Sequence, residues 1–173
     1  MPHADAKLPD PDWATVARGA VAGLAAGLIA SLAMNQFQAL VSKLSSDEGS
    51  GGESSTAKAG DGIAKFATGK PIPDDSKEIA GNVVHYALGG ALGLAYGVAA
   101  EFRPAVTQGF GTGLSLSTFA LLDEAAVPAT GLTPPPTQTS LSEHGYALAS
   151  HLVFGTVTEL TRRGIRTLLP PTD

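Results

Sequence analysis

Four long stretches of the chain are mostly apolar and carry almost no formal charge. A helix rises about 1.5 Å per residue, so roughly 20 residues cross the ~30 Å hydrocarbon core of a bilayer. Soluble helices of this length usually carry a charged face, which these stretches lack. The pattern predicts an all-α polytopic membrane protein, an antiparallel bundle of four transmembrane helices. The predicted spans are residues 18–43, 79–101, 104–127 and 145–162.

The fourth stretch is the shortest, and it is interrupted by His151 and Glu159. A buried helix of a soluble protein is therefore an open alternative there, and a soluble bundle rich in glycine and alanine is the alternative for all four stretches. The membrane domain is expected to cover residues 16–162, after a soluble tail at 1–15 and before a second tail at 163–173.

A polar loop over residues 44–78 joins the first two predicted spans. Its first part, residues 45–62, is acidic and rich in glycine and serine, which is the composition of a flexible tether. Its second part, residues 63–78, is expected to form one helical turn before Pro71 and Pro73 interrupt it. A docking arm for a partner is the alternative to a solvated connector.

The basic residues indicate how the bundle is oriented. All the arginines fall on the side that receives both termini and the loop between the second and third spans, and they lie close to span ends. Because basic residues near span ends stay in the cytoplasm, we predict that both termini are cytoplasmic, in a bacterial inner membrane. The arginines are Arg18, Arg103, Arg162, Arg163 and Arg166.

Composition narrows the class of protein further. Charged residues make up 16% of the 173 residues, against about 25% in an average soluble domain. The net charge of −5 and the lack of a basic patch argue against nucleic-acid binding, and the absence of cysteine excludes a disulfide scaffold. The chain contains 21 glycines, so the position of these glycines on the predicted helices matters.

Small residues recur at every fourth position within the predicted spans, which places them on one face of each helix. Inside a bilayer, small residues let two helix backbones approach and gain van der Waals contact. We therefore expect a tight bundle, and the same surfaces also suit self-association. The glycines predicted to pack helices are Gly19, Gly23, Gly27, Gly89, Gly93, Gly97, Gly109, Gly113 and Gly155.

Each predicted span also carries a polar group at a similar depth, about 6–11 Å below its outer end at ~1.5 Å per residue. Ionisable side chains inside a membrane are costly, and they face the bundle interior, pair with one another or line a water-filled path. This polar layer supplies the candidates for a proton or solute site. Its members are Asn35, His85, Asp123, Glu124 and His151.

Three interpretations of the polar layer stay open. The first is interhelical hydrogen bonding that only holds the bundle together. The second is a proton or solute site open to the outer face, because an imidazole beside a carboxylate can take up a proton near neutral pH. The third is ligation of a metal or of a b-type haem by His85 and His151, which the matched depth of the two histidines allows. The first interpretation implies no cofactor and no metal site.

The remaining charged groups are expected to be structural. Glu159 and Arg163 are spaced for an i,i+4 pair on one helix. Glu101 and Arg103 form a surface pair, and His144 is solvated at the membrane surface. The sequence contains no nucleophile and base arrangement, phosphate loop or zinc-binding helix motif, so no catalytic residue and no enzymatic activity is predicted.

Three motifs stand out over residues 84–160. They are His85-x-x-x-Gly89-Gly90-x-x-Gly93-x-x-Tyr96-Gly97, then Gly109-x-Gly111-x-Gly113 with the acidic pair and Pro128…Gly131-Leu132, and finally His144…His151-x-x-x-Gly155. Together they resemble the YagU-like family of bacterial inner-membrane proteins. The resemblance implies a multi-pass inner-membrane protein with a link to acid tolerance, and it supplies no established activity. The chain departs from that family by its long acidic loop after the first span.

The predicted function follows from the spans and the polar layer together. We expect a multi-pass inner-membrane protein that acts as a non-catalytic helical-bundle component or as a subunit of a membrane assembly. The alternative is proton-linked transport of a small solute, or pH sensing, by the polar layer near the outer face. The expected partners are the lipid bilayer and either other membrane subunits or a second copy of the chain.

Overall fold

The computed structural model describes residues 12–44 and 54–169, and every regular element within these ranges is a helix. The prediction of an all-α fold is confirmed for this part of the chain. A π-helical segment, Phe119–Ala126, joins α4 to α5 and makes them one continuous column. In chain order the α-helices are α1 (Trp13–Leu44), α2 (Ser55–Thr68), α3 (Lys77–Phe102), α4 (Thr112–Thr118), α5 (Val127–Ala129) and α6 (Leu141–Leu168).

Helices α1 and α3 pack antiparallel with their backbones in direct contact. A Cβ placed on Gly93 would lie 2.6 Å from the Gly27 Cα, and one placed on Gly23 would lie 2.9 Å from the Gly97 Cα. Real Cβ atoms do not come this close to a backbone, so only glycine fits at these positions. This contact, the glycine seam, consists of Gly19, Gly23, Gly27, Gly89, Gly93 and Gly97.

The bundle buries small and polar side chains and exposes large apolar ones. Its interior includes Ala26, Ser115 and Thr158, with Phe154 among the few large apolar side chains there. Helices α1 and α3 are long and apolar enough to cross a membrane, yet only 39% and 33% of their most apolar windows are buried. Outward-facing apolar residues include Leu24, Ile29, Leu32, Ile79, Val83, Leu94, Leu116, Leu121, Leu152 and Leu160.

The column that corresponds to the third predicted span begins later than expected. Residues 104–107 form a 3₁₀ turn, and the backbone then adopts positive φ at Gly109 (71°), Phe110 (53°) and Gly111 (86°). Left-handed residues cannot continue a right-handed helix, so α4 starts only at Thr112. Gly109 consequently lies outside the helix, which corrects its place in the predicted packing stripe.

The contact of this column with α6 is displaced by two residues from the prediction. Gly111 and Ser115 face Gly155, and a Cβ on Gly155 would lie 2.9 Å from the Ser115 nitrogen. Gly113 points away from α6, because a Cβ there would meet no atom within 4 Å. The left-handed backbone at residues 109–111 sets the rotation of α4 about its axis. Gly111 and Ser115 therefore make the contact with α6 that was predicted for Gly109 and Gly113.

Part of the predicted polar loop is helical. Residues 45–53 lie outside the described residues, but α2 begins directly after Ser54, so the tether predicted over residues 45–62 does not extend into this helix. The Ser54 side chain caps α2 by accepting a hydrogen bond from Ala57 N at 3.2 Å, and Ala57 packs on Gly81 of α3. This cap and this contact explain a helix of 14 residues where one turn was expected.

Helix α6 is longer than the fourth predicted span at both ends. A capping box starts the helix, in which Ser140 accepts from the Glu143 N–H and the Glu143 carboxylate accepts from the Ser140 N–H. Near its other end Arg166 donates two hydrogen bonds to Glu101. The contacts make α6 parallel to α3 and antiparallel to α1 and to the α4–α5 column.

Candidate functional site

A polar cavity of about 350 Å³ lies between the helices near the end of α1 and the starts of α3 and α6. Asn35 of α1, His85 of α3, Asp123 of the π-helical segment and His151 of α6 line it, and Ser55 at the start of α2 reaches its rim. Four of the five residues of the predicted polar layer therefore face one shared space, although they come from four separate elements.

His151 is the most buried ionisable residue of this cavity, with 7% of its surface exposed. Its Nε2 lies 3.0 Å from Asp123 Oδ2, and its Nδ1 lies 3.1 Å from Thr118 Oγ1. Thr118 Oγ1 also lies 2.9 Å from the carbonyl oxygen of Leu114. The threonine hydroxyl can thus donate to that carbonyl and accept from Nδ1–H, or it can donate to an unprotonated Nδ1. His151 keeps the same partners with one ring proton or with two.

The wall formed by α1 and α3 presents mainly uncharged polar groups. His85 Nε2 lies 3.4 Å from the carbonyl oxygen of Ser31. Ser31 is fully buried, and its Oγ has no hydrogen-bond partner within the described part of the chain. The side-chain amides of Asn35, Gln38 and Asn82 line the same wall. A buried hydroxyl without a partner costs free energy, so a ligand that bonds to it would be favoured.

Glu124, the fifth predicted residue, faces a different space. Its Oε1 lies 2.6 Å from His144 Nδ1, and both residues line a neighbouring cavity of about 210 Å³. His144 Nε2 lies 3.1 Å from the carbonyl oxygen of Pro136. Both partners are acceptors, so His144 satisfies them together only as the imidazolium, and the Glu124 hydrogen bond raises the pKa of His144. The prediction of a solvated His144 is corrected accordingly.

Two neighbouring carboxylates of the π-helical segment pair with different histidines. Asp123 and Glu124 are adjacent, yet they pair with His151 and His144, which lie seven residues apart on α6, about 10 Å at ~1.5 Å per residue. Consecutive side chains of a helix point in different directions around its axis, so these two carboxylates reach different histidines although the sequence places them together. The segment that carries them is unusual, because π-helical turns are rare and occur frequently at functional sites.

The opposite end of the bundle holds a buried ionic network. Glu159 is fully buried and accepts hydrogen bonds from Arg162 Nε at 2.8 Å, from Tyr96 Oη at 2.9 Å and from Arg163 Nε. The predicted pair of Glu159 with Arg163 is therefore present within a larger network. Every oxygen of this carboxylate has a charged donor, which is the condition for keeping a carboxylate ionised when it is buried.

Glu101 has a different partner from the one predicted. It binds Arg166 of α6, with Nε to Oε1 at 2.6 Å and Nη2 to Oε2 at 3.0 Å, rather than Arg103. The bidentate geometry joins α3 to α6, whereas Arg103 lies at the end of α3 where the backbone leaves the helix. We call this end of the bundle, with Glu101, Glu159 and their arginines, the arginine end.

No metal site is assembled among the described residues, because no three histidine, aspartate or glutamate side chains converge. Haem ligation by His85 and His151 would require rearrangement, since both ring nitrogens of His151 are hydrogen bonded and His85 Nε2 faces a carbonyl oxygen. The two histidines do line the same cavity, which keeps the haem hypothesis open to a spectroscopic test.

Comparisons with protein-family models, curated proteins and solved structures found no match for this chain. The class of protein is therefore inferred from the chain itself. The described residues form an all-α fold in which two helices are long and apolar enough to cross a membrane, and a polar cavity lies between the helices. Membership of the YagU-like family stays a prediction.

Several cavity residues were not predicted from the sequence. Gln38 and Asn82 line the cavity, and Thr118 contacts His151 from behind it. All three are uncharged and polar, and such residues are common on helix surfaces, so nothing distinguishes them in isolation. Ser31 is small and lies one helical turn before Asn35 on the same face. A search for polar residues one turn from each candidate would have found Ser31 and Asn82.

Proposed function

We propose that the protein is a multi-pass membrane protein in which α1, α3, the α4–α5 column and α6 all lie across the bilayer. The observation that supports this proposal is the outward orientation of the large apolar side chains around a small and polar interior. Soluble monomers rarely expose large contiguous apolar patches, because water penalises them, whereas the acyl chains of a bilayer are as apolar as leucine side chains.

The charges of α6 are compatible with this arrangement because they are paired inside the bundle. Glu159 is bonded to Arg162 and Tyr96, and His151 is bonded to Asp123. Ionisable residues within membranes face the bundle interior and pair in this way. Leu152 and Leu160, in contrast, extend outward from the same helix into the proposed lipid.

The proposed localisation is a bacterial inner membrane with the arginine end in the cytoplasm. The arginines of α6 and Arg18 of α1 lie at this end, and basic residues beside spans remain cytoplasmic. In this frame the polar cavity opens toward the outer face. The proposed role is a non-catalytic helical-bundle component, either a subunit of a membrane assembly or a self-associating protein.

Cysteine labelling tests this proposal directly, since the chain has no native cysteine. Thr137 lies in an exposed loop at the cavity end, and Thr167 is exposed at the arginine end. We expect a membrane-impermeant maleimide to label Thr137→Cys in intact spheroplasts and to label Thr167→Cys only after permeabilisation. Recovery of the unmodified chain in the soluble fraction, or equal labelling of both variants in intact spheroplasts, would overturn the proposal.

A second candidate function is proton-linked handling of a small solute, or pH sensing, at the cavity. The observation that favours it is the arrangement of Thr118, His151 and Asp123, which accommodates one or two ring protons without loss of a partner. A histidine in such a setting can exchange a proton while the bundle remains packed.

The second function is tested in proteoliposomes with a trapped pH indicator. We expect His151→Gln to abolish pH-dependent flux of protons or solute, and His85→Ala to reduce it. If both variants keep the full flux and lose only thermal stability, the histidines are structural and this function is rejected. An absorbance spectrum of the purified protein tests the haem hypothesis, because an empty Soret region would remove it.

A further inference from the structure

We propose that the polar cavity binds a small organic cation that has a primary ammonium group and a short aliphatic tail. The inference rests on the proposed small-solute function and names the class of solute. Three properties of the cavity support it, namely its charge, its unused acceptors and its apolar wall.

The charge of the cavity favours a cation. Asp123 is the acidic residue of its lining, and no lysine or arginine of the described residues lines it. Asp123 Oδ2 binds His151, whereas Oδ1 has no hydrogen-bond partner within the described part of the chain, and 37% of the side chain is exposed. The carboxylate therefore has one oxygen available, and an anionic solute would be repelled by it.

The acceptors of the cavity match the three N–H donors of a primary ammonium. Asp123 Oδ1 supplies a charged acceptor, and Ser31 Oγ supplies a buried one without a partner. The amide oxygens of Asn35 and Asn82 supply further acceptors on the wall of α1 and α3. A quaternary ammonium has no N–H group and would leave all these acceptors unsatisfied, so the geometry discriminates against it.

The remaining lining is apolar and limits the size of the solute. Leu88, Leu92, Leu122, Val127 and Phe154 border the cavity beside the polar groups. A volume of about 350 Å³ holds about a dozen waters at ~30 Å³ each, which is at the lower end for ligand sites. An alkyl chain of a few carbons beside the ammonium group fits this space and buries apolar surface.

The test is isothermal titration of the full chain in maltoside micelles with butylammonium chloride. Phosphate buffer is required, because Tris is itself a primary amine. Three solutes serve as matched comparisons. Sodium butyrate carries a negative charge in place of the positive one, and 1-butanol carries no charge. Tetramethylammonium chloride keeps the positive charge but has no N–H donors. We expect butylammonium to bind at least about tenfold more tightly than each of them, the factor that ~1.4 kcal/mol corresponds to. Equal affinity for butanol or butyrate would overturn the inference.

Variants locate the binding site within the chain. Asp123→Asn is expected to weaken butylammonium binding at least about tenfold, since a charged hydrogen bond is replaced by a neutral one. Glu124→Gln is the matched control, because this neighbouring carboxylate faces the other cavity, and it should leave the affinity unchanged. Ser31→Ala, on the opposite wall, should weaken binding about threefold, and it provides a second test if Asp123→Asn fails to fold. The site is refuted if Asp123→Asn and Glu124→Gln change the affinity equally. If Asp123→Asn does not fold, the site is refuted when Ser31→Ala binds butylammonium as tightly as the parent does.

The same preparations separate this inference from the function on which it rests. If butylammonium binds through Asp123 but proteoliposomes show no pH-dependent flux, the solute class stands and proton-linked transport fails. If the flux depends on His151 while butylammonium does not bind, the transport function stands and the proposed solute class is overturned.

Discussion

The two ends of the bundle both place ionisable groups between helices, but they treat them differently. At the arginine end, Glu159 is fully buried and three side chains donate to its two oxygens. At the cavity end, Asp123 shares one oxygen with His151, and Ser31 has a buried hydroxyl without a partner within the described residues. The Glu159 carboxylate is fully satisfied by its protein donors, whereas the cavity keeps acceptors that have no protein partner among the described residues.

This difference leads us to expect different roles for the two ends. A satisfied buried network has nothing left to offer a ligand, and it stabilises only the geometry that satisfies it. An incompletely satisfied cavity costs stability, and such a cost is common at binding sites. We therefore expect substitutions at the arginine end to affect folding, and substitutions at the cavity end to affect ligand and proton binding.

The largest expected effect is the loss of the buried carboxylate at the arginine end. Glu159→Gln leaves Arg162, 8% exposed, and its neighbour Arg163 without their counter-charge, so we expect the free energy of unfolding to fall by about 3–5 kcal/mol. Denaturation of the purified protein in mixed micelles measures it. Asp123→Asn at the cavity end should cost at most about 1.5 kcal/mol.

The comparison of the ends fails if these two substitutions destabilise the protein equally. Glu101→Gln supplies a further control at the arginine end, because its pair with Arg166 is more exposed than Glu159 is. The Glu101 side chain is 10% exposed and its pair is bidentate, so we expect a loss that is smaller than that of Glu159→Gln but still measurable, about 1–3 kcal/mol.

The next largest effect concerns the glycine seam that connects the two ends. Gly93→Ala places a Cβ 2.6 Å from the Gly27 Cα, so α1 and α3 must separate, at a cost of about 1–3 kcal/mol. Because the seam lies between the ends, we expect both the unfolding free energy and the affinity of the cavity for butylammonium to fall. Gly113→Ala, which meets no atom within 4 Å, should leave the affinity unchanged and should not lower the unfolding free energy, which the better helix propensity of alanine can raise by up to about 1 kcal/mol.

The smallest expected effect is the pH dependence of the contact between His144 and Glu124. The pKa of His144 is raised from its ordinary value of 6.5 by the hydrogen bond to Glu124 and by the Pro136 carbonyl. The stabilisation is therefore fully present below about pH 6.5 and is lost as the pH rises through the raised pKa. We expect His144→Gln to lower the melting temperature in micelles at pH 6, and to have a diminishing effect toward pH 9. A difference that grows with pH would contradict this sign.

Much of the helical architecture could be predicted from the sequence, since long uncharged stretches have few other stable forms. The six glycines of the seam share one face of each helix, so their contact follows from helical periodicity. The third predicted span was less accurate, because the left-handed backbone at Phe110 has no sequence signature beyond its flanking glycines. Helix α2 was missed because its stability depends on packing against Gly81, which lies outside its own segment.

The helical class and the glycine seam follow from the sequence alone, because both depend on local periodicity. Which polar residues share a space became evident only from the fold. Asp123 pairs with His151 and Glu124 with His144, and Glu101 binds Arg166, which lies 65 positions further along the chain. Such pairings depend on the relative rotation of distant helices, which side-chain packing sets and periodicity alone does not.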